Sequence, residues 1–314
     1  FMVGMKIGVG CMVDSCGSCA QCKKGFEQKC KKESTGTYGK RDKHGRAAVF
    51  PKGSRTLGGY TDLFVVHENF GIVIPDSFPL EYAGPVMCAG VTMYDPLMTQ
   101  RVRAGDTVGI IGLGGLGQMG VKIAKAMGCR VTVISRSEAK EAFAKKCGAD
   151  SYIASASAES MASGKGTIDL ILNTIPSYHD YTIYQGLLKK TGKQCMLGLH
   201  KGMFAAFALG GLVNSRIISS GIGGIKATQE VMDLCAANDI KPDITVVPVT
   251  QINKIYEALD SGTDNGTRYV LDINTLVPGT VCTEGAPKLH DADLPTLGGT
   301  VWEIVSLFFS GWWW

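Results

Sequence analysis

The sequence predicts an α/β protein in which a doubly wound parallel sheet follows an irregular β domain. Strand and helix patterns alternate from Asp106 onwards, and a glycine-rich turn joins the first of these strands to the first helix. Short apolar runs broken by Gly, Asp and Pro fill residues 1–93. Alternating βαβ units build a parallel sheet with helices on both faces. With 314 residues, 45% of them hydrophobic, the chain can bury the cores of two domains.

Charge and cysteine content exclude several classes of protein. The net charge of +4 is small and dispersed, which argues against a nucleic-acid partner. The apolar run from Val301 to Trp314 is shorter than the roughly 20 residues that a membrane span needs. Eleven cysteines, an odd number with several in apolar surroundings, suit a reducing cytoplasm better than a disulfide framework.

Both ends of the chain differ from its body. Phe1 opens directly into a strand-like run without a start methionine, so we expect a segment upstream of it. All four tryptophans fall in the last 13 residues, behind a Gly- and Pro-rich stretch from Val277 to Gly299. We interpret residues 277–314 as an atypical tail. A poorly packed extension is favoured, and a contact with an interface or a partner is the alternative.

Four cysteines near the start, Cys16, Cys19, Cys22 and Cys30, follow the spacing C-x2-C-x2-C-x7-C in a Gly- and Lys-rich stretch. Four thiolates in tight loops give Zn²⁺ the closed tetrahedral shell of a structural site. The alternative cluster is iron–sulfur, whose bacterial run is C-x2-C-x2-C-x3-C-P, but the last gap is longer here and Lys31 follows. Unligated or disulfide-bonded cysteines are the remaining reading. The spacing favours zinc.

The strand–helix alternation defines the elements of the second part. Hydrophobic periodicity and terminal glycines place them. The predicted strands are Val108–Ile111, Val131–Ile134, Leu170–Asn173, Lys193–Leu197 and Arg216–Ser219, and the predicted helices are Leu116–Met127, Glu138–Lys146, Tyr181–Lys190 and Thr228–Asn238. The strand Ile244–Val247, a helix around Asn253–Leu259 and the strand Tyr269–Ile273 follow, and we expect them to return to the first domain.

A glycine loop follows the first of these strands, with the sequence Gly112-Leu113-Gly114-Gly115-Leu116-Gly117. Glycines allow a tight turn and a close approach of backbone to a pyrophosphate, which then sits at the N-terminus of the helix. A structural glycine turn is the alternative. The position after a strand and before a helix favours a dinucleotide-binding Rossmann motif.

The end of the next strand selects between NAD and NADP. An NAD site has Asp or Glu there to accept a hydrogen bond from the ribose 2′-hydroxyl, whereas this chain has Ser135, Arg136 and Ser137, with Lys140 one turn later. A guanidinium can bind a 2′-phosphate with paired charge-assisted hydrogen bonds. These residues therefore favour NADP(H), the alternative being cations that only solvate a surface loop.

Several segments together resemble one family, the zinc-dependent medium-chain dehydrogenases, and within it the cinnamyl alcohol dehydrogenase-like NADP-dependent alcohol dehydrogenases. The resemblance covers about residues 3–274. Besides the quartet and the glycine loop, the matching segments are Val9–Cys16, Leu57–Tyr60, Met87–Thr92, Ile134–Ser137, Gly221–Gly224 and Arg268–Val270.

The resemblance implies a role for individual residues. The quartet would bind a structural zinc ion in a lobe, residues 11–35, beside a GroES-like barrel. Cys88 resembles a ligand of the family's catalytic zinc, although taken alone it would be a buried apolar thiol, and Thr92 would face the nicotinamide. The other implied coenzyme contacts are Thr174, Gly198, Leu199, Ser220, Gly221, Ile222 and Arg268.

The resemblance also implies the domain plan. Residues 1–93 would form a partial GroES-like catalytic domain, residues 94–243 the NADP-binding Rossmann domain, and residues 244–276 a return to the catalytic domain. The remaining catalytic zinc ligands, a cysteine and a His-Glu pair, are expected upstream of Phe1. The five histidines do not stand in the family's ligand motif, and we interpret them as surface or loop residues: His44, His67, His179, His200 and His290.

The function implied is NADPH-dependent reduction of small aldehydes to alcohols, and the reverse oxidation, by zinc-assisted hydride transfer. The alternative is a catalytically inactive NADPH-binding fragment, because a catalytic zinc normally has three protein ligands and only Cys88 is in place. A quinone reductase without catalytic zinc is disfavoured, since such relatives generally lack the quartet. The lobe lies near a dimer contact in relatives, which leaves a homodimer open.

Overall fold

The computed structural model of the protein describes residues 1–45, 53–61, 63–198, 216–261 and 267–275. Leu199 and the tail 277–314 lie outside these residues. Strands β1–β14 are Ile7–Val9, Met12–Asp14, Thr35–Gly36, Tyr38–Arg41, Arg55–Leu57, Gly71–Val73, Thr107–Ile111, Arg130–Ser135, Ser151–Ala154, Ile168–Asn173, Leu188–Met196, Ile217–Ser219, Ile244–Pro248 and Arg268–Asp272. Helices α1–α7 are Leu80–Pro85, Val91–Thr99, Gly115–Ala126, Glu141–Lys146, Ala158–Ser163, Ile225–Ala237 and Ile252–Asp260.

A six-stranded sheet forms the centre of the structure. Its strand order is β12-β11-β10-β7-β8-β9, and all of its neighbouring strands are parallel. This is the doubly wound order, in which strands are added first on one side of the first strand and then on the other, so that the strand order reverses between β7 and β10. The predicted fold class is therefore confirmed, and the reversal marks the crevice where such sheets bind ligands.

Both faces of this sheet are buried. Val108 and Ile110 of β7 pack in the main core beside Leu170 of β10, whereas Ile111 packs in a second cluster with Ile171. Successive side chains of a strand point to opposite faces, so apolar residues on both sets of positions require cover on both sides. This burial on both faces explains why strands such as β7 and β10 are continuously apolar in the sequence.

The first part of the chain consists of short strand pairs, as the irregular β pattern indicates. The pairs β1–β6, β2–β3 and β4–β5 are antiparallel. Because β2 ends before the cysteine quartet and β3 begins after it, their pairing closes the lobe at its base. The segment after the sheet contacts this part again, since Tyr256 in α7 and Tyr60 share a hydroxyl–hydroxyl hydrogen bond of 2.7 Å. The domain boundaries themselves stay predictions.

Three details differ from the predicted elements. The predicted helix Tyr181–Lys190 is wrong in its last three residues. A 3-10 helix covers Tyr181–Leu187, and β11 begins at Leu188, because Leu188 pairs with β10 at Ile168. The short elements β9 and α5 were not predicted. Helix α6 begins three residues before the predicted Thr228. Of the described helices, none is long and apolar enough to cross a membrane.

Candidate functional site

The glycine loop lies at the carboxyl end of β7, beside the reversal in the sheet. Gly112 has a φ of +85°, which glycine adopts without strain. A Cβ at Gly117 would lie 2.0 Å from the Gly112 carbonyl oxygen, so no other residue fits there unless the turn opens. Gly114 precedes α3 without a side-chain cap. The first N–H groups of α3 therefore stay available to a ligand.

The ends of β10 and β11 meet this loop. The Thr174 hydroxyl donates to the Ile111 carbonyl at 2.7 Å, and it lies 2.7 Å from the position of a Cβ at Gly112. The Gly198 N–H donates to the Asn173 carbonyl at 3.2 Å. A Cβ at Gly198 would lie 2.3 Å from the Ile175 carbonyl oxygen. Thr174 thus packs directly against Gly112, and Gly198 lies against the residues that flank Thr174.

The predicted 2′-phosphate residues lie at the end of β8. Ser135 ends the strand, and the Gly112 N–H donates to the carbonyl of its neighbour Ile134 at 3.1 Å, so the loop and this strand end are adjacent. Arg136 and Lys140 are both exposed. The structure shows no ion pair for either cation within the residues it describes. No carboxylate ends β8.

The predicted nicotinamide end follows β12. The Ser220 N–H donates to the Met196 carbonyl at 3.4 Å, and its hydroxyl donates to Asp95 Oδ2 at 2.9 Å. Gly221 and Ile222 then lead into α6. Asp95 in α2 is only 1% exposed and was not among the predicted residues. A single carboxylate in the apolar stretch of α2 was the signal that the sequence offered.

The four cysteines of the quartet come together in the lobe. Their Sγ atoms all lie within 4.8 Å of one another, with 3.5 Å between Cys19 and Cys22. Hydrogen bonds from the backbone of Cys19 and Ser18 lower the pKa of the Cys16 thiol to about 5. Backbone hydrogen bonds from Cys22 and Lys31 lower the pKa of Cys19.

Burial has the opposite effect on Cys22 and raises its pKa to about 12. A cation between the four sulfurs would favour the thiolate of all of them.

Cys88 lies in a π-helical turn, Val86–Gly90, that joins α1 to α2. The hydroxyl of Thr92, one turn later and 2% exposed, donates to the Cys88 carbonyl at 2.7 Å. A hydrogen bond from the Cys11 thiol and the charge of the buried Arg268 lower the pKa of Cys88 to about 6. The same contact raises the pKa of Cys11 well above its usual value.

Cys11 and Cys88 are distant in the sequence, so no local pattern could predict this pair. Arg268, predicted as a coenzyme contact, lies beside the Cys88 thiol at the start of β14. Its contact with a coenzyme stays a prediction.

Comparisons with known proteins show what the whole chain is similar to. A family model described as zinc-binding dehydrogenase matches residues 115–237. The chain is 42% identical over 280 residues to a probable mannitol dehydrogenase of Mesembryanthemum crystallinum, covering 88% of this chain and 75% of the relative. It is 42% identical over 279 residues to NADP-dependent alcohol dehydrogenase C 1 of Mycolicibacterium smegmatis, covering 88% and 77%. The solved structure of a cinnamyl alcohol dehydrogenase from Sorghum bicolor superposes with a TM-score of 0.74, at 34% identity, over 87% of this chain and 76% of that one.

The chain belongs to the zinc-dependent alcohol dehydrogenase family, in its cinnamyl alcohol dehydrogenase-like branch. The predicted resemblance is thereby confirmed.

In this dehydrogenase, the lobe and the glycine loop fit the groups that the family implies. A tetrahedral zinc site with Zn–S bonds of about 2.3 Å places its sulfurs about 3.8 Å apart, close to the 3.9 Å between Cys16 and Cys22. Four of the six residues from Gly112 to Gly117 are glycines, and the other two, Leu113 and Leu116, are buried in the main core. The backbone in front of α3 is therefore open to a pyrophosphate.

The described residues of this dehydrogenase do not form a second zinc site. The quartet is the one group of three or more candidate ligands found among them. Around Cys88 they bring the thiol of Cys11 and the guanidinium of Arg268. A guanidinium repels a metal cation, and a catalytic zinc normally has three protein ligands. We therefore derive no catalytic step through a second metal ion.

Proposed function

We propose that this chain binds NADP(H) at the carboxyl edge of its six-stranded sheet and acts in the interconversion of alcohols and aldehydes. The observation that supports this most directly is the glycine cradle at the reversal point of the sheet, combined with Arg136 in place of an acidic residue after β8. The names of the family members, which include an NADP-dependent alcohol dehydrogenase, support the same coenzyme and reaction.

Each part of the predicted coenzyme site has a separate task. The N–H groups at the start of α3 would bind the pyrophosphate, and Arg136 with Lys140 would bind the 2′-phosphate. Thr174 and Gly198 would border the ribose and nicotinamide, and the segment from Ser220 would hold the nicotinamide end. When bound, the coenzyme supplies a hydride to a carbonyl carbon or accepts one from an alcohol. We propose aldehyde reduction as the working direction, because cellular NADPH drives reductions.

The alternative function is coenzyme binding without catalysis by this polypeptide. It is favoured by the surroundings of Cys88. Among the described residues, Cys11 is the one other thiol beside Cys88, Arg268 is a cation, and no third metal ligand is present. Metal content distinguishes the two functions. One zinc ion per chain together with NADPH binding supports the binding function, and two zinc ions support zinc-assisted catalysis with ligands outside the described residues.

The coenzyme assignment is tested by reversing one charge at either end of the same strand. Arg136 follows the carboxyl end of β8, whereas Arg130, also exposed, begins it. Arg136→Asp should weaken NADPH binding by about 1.5–3 kcal/mol, the range for a hydrogen bond to a charged group, and should leave NADH binding much less affected. The matched variant Arg130→Asp changes the net charge equally and should bind NADPH like the original chain. Fluorescence titration of both coenzymes measures the difference; equal NADPH affinity of the two variants would refute the assignment.

Three further points stay proposals. We propose a small aldehyde or alcohol as substrate, and an aromatic aldehyde is the first to assay because of the relative from Sorghum bicolor. We propose a reducing compartment such as the cytoplasm, since the ten cysteines that the structure describes are free thiols and zinc binds thiolates. A homodimer stays a prediction that sedimentation analysis would decide.

A further inference from the structure

We propose that the zinc lobe positions the nicotinamide end of the coenzyme site through the buried carboxylate of Asp95. This inference rests on the proposed function, because it assigns the segment after β12 to the nicotinamide. It gives the quartet a task beyond its own stability, since the ion that holds the lobe would also fix the loop on which the coenzyme depends.

The lobe ligand Cys30 sets the turn that reaches the sheet. The Cys30 N–H donates to the Glu27 carbonyl at 3.0 Å and closes the 3-10 helix Glu27–Lys29. Two side chains of this helix extend from the lobe and form hydrogen bonds with residues of α2 and α6. Gln28 Nε2 donates to Asp95 Oδ1 at 3.2 Å, and Glu27 Oε2 accepts from the Ile225 N–H at 2.9 Å.

Asp95 joins the lobe to the loop because its two oxygens have different partners. Oδ1 accepts from Gln28 of the lobe, and Oδ2 accepts from the Ser220 hydroxyl at 2.9 Å. Burial raises the pKa of Asp95, whereas the hydrogen bond from Ser220 and the charge of Lys29 lower it. A carboxylate held from both sides at 1% exposure restricts Ser220 far more than a solvated contact does, since buried hydrogen bonds are costly to leave unmade.

Gly223 and Gly224 show how closely the lobe and α2 pack against the segment before α6. A Cβ at Gly224 would lie 1.9 Å from the Gly25 carbonyl oxygen and 2.6 Å from Glu27 Oε2. A Cβ at Gly223 would lie 2.5 Å from Val91 Cγ2 and 3.2 Å from Asp95 Cβ. Gly223 and Gly224 are therefore enclosed between the lobe and α2, whereas Gly221 before them is exposed. A shift of the lobe must move these two glycines. In the part of the chain that the structure describes, no hydrogen bond joins the glycine loop or Arg136 to the lobe, so both would stay in place.

This arrangement predicts that a defect in the lobe weakens the binding of the nicotinamide half of the coenzyme and leaves the binding of the adenosine half unchanged. Adenosine 2′,5′-bisphosphate carries the adenosine and the 2′-phosphate but no nicotinamide, so it reports on the Arg136 half alone. The variant Gln28→Met removes the donor to Asp95 at similar size. Gln21→Met makes the same change in the same lobe, at a glutamine for which the described part of the chain shows no side-chain hydrogen bond.

The experiment compares these two variants with the original chain, all with their zinc retained. We expect Gln28→Met to raise the Kd for NADPH about fivefold, a part of the effect of one charged hydrogen bond, and to leave the Kd for the bisphosphate unchanged. Hydrogen exchange should accelerate at the Ile225 amide in this variant. Gln21→Met should change neither of the two Kd values nor the exchange rate of the Ile225 amide. If Gln28→Met loses its zinc, Asp95→Leu replaces it, because a leucine side chain of similar size can accept from neither Gln28 nor Ser220.

The outcomes separate the inference from the proposed function. Failure of the original chain to bind either ligand refutes the coenzyme site, and the inference with it. Binding of both ligands by the original chain, with Gln28→Met weakening both equally or neither, refutes the inference alone. A selective loss of NADPH affinity that Gln21→Met does not share supports a positioning role, which a general loss of stability would not produce.

Discussion

A methyl group at Gly224 would test how tightly the zinc lobe is docked against the sheet. In the folded protein this Cβ would meet the Gly25 carbonyl oxygen at 1.9 Å and the Gly25 carbonyl carbon at 2.8 Å. Both atoms belong to the backbone of the lobe, so no side-chain rotation can relieve the clash. The lobe must move away or the start of α6 must shift.

The loss of stability expected for Gly224→Ala follows from the cost of the close contact and from the contacts that a displaced lobe would lose. Overpacking of a close contact costs about 1–3 kcal/mol. A displaced lobe also loses the hydrogen bond from the Ile225 N–H to Glu27, and a bond to a charged group contributes about 1.5–3 kcal/mol before solvent exposure weakens it. We therefore expect Gly224→Ala to destabilise the protein by about 2–4 kcal/mol, or about 3–6 °C in melting temperature for a chain of this length.

Thermal unfolding followed by calorimetry measures this effect, and zinc content shows whether the quartet survives. The matched control is Gly221→Ala, in the same segment, where an added Cβ would meet nothing within 4 Å. This control should melt within about 1 °C of the original chain, as expected of a surface substitution. If the two variants melt at the same temperature, the docking described above is wrong.

Two other substitutions test the lobe ion and the glycine cradle. Cys30→Ser should release about one zinc ion per chain and unfold the lobe, since structural zinc contributes on the order of 10 kcal/mol; elemental analysis beside Cys147→Ser, which leaves the quartet intact, checks it, and retained zinc with an unchanged melting temperature would contradict it. Gly117→Ala should weaken NADPH binding about tenfold or more, because its Cβ would lie 2.0 Å from the Gly112 oxygen. Gly186→Ala, with no atom within 4 Å of its Cβ, is its control, and equal affinities would exclude the close approach.

Local sequence patterns predicted the sheet and the two motifs because each depends on neighbouring residues. The strand Thr107–Ile111, the glycine turn and helix α3 form one continuous stretch, so their chemistry is visible in order along the chain. The quartet likewise lies within a short lobe. The same locality explains the wrong helix at Tyr181–Lys190, because pairing of Leu188 with Ile168 is a contact that residues 181–190 do not encode alone.

The sequence by itself determined the fold class, the family, the quartet spacing and the presence of Ser135 and Arg136, not an acidic residue, at the end of β8. Only the tertiary structure decided where helix α6 begins, which residues surround Cys88 and what Asp95 binds. The physical reason is the distance along the chain between the partners. Glu27 binds the first N–H of α6, and Gln28 and Ser220 meet at Asp95. Periodicity describes one element at a time, whereas a buried carboxylate takes its partners from whichever elements the packing brings to it.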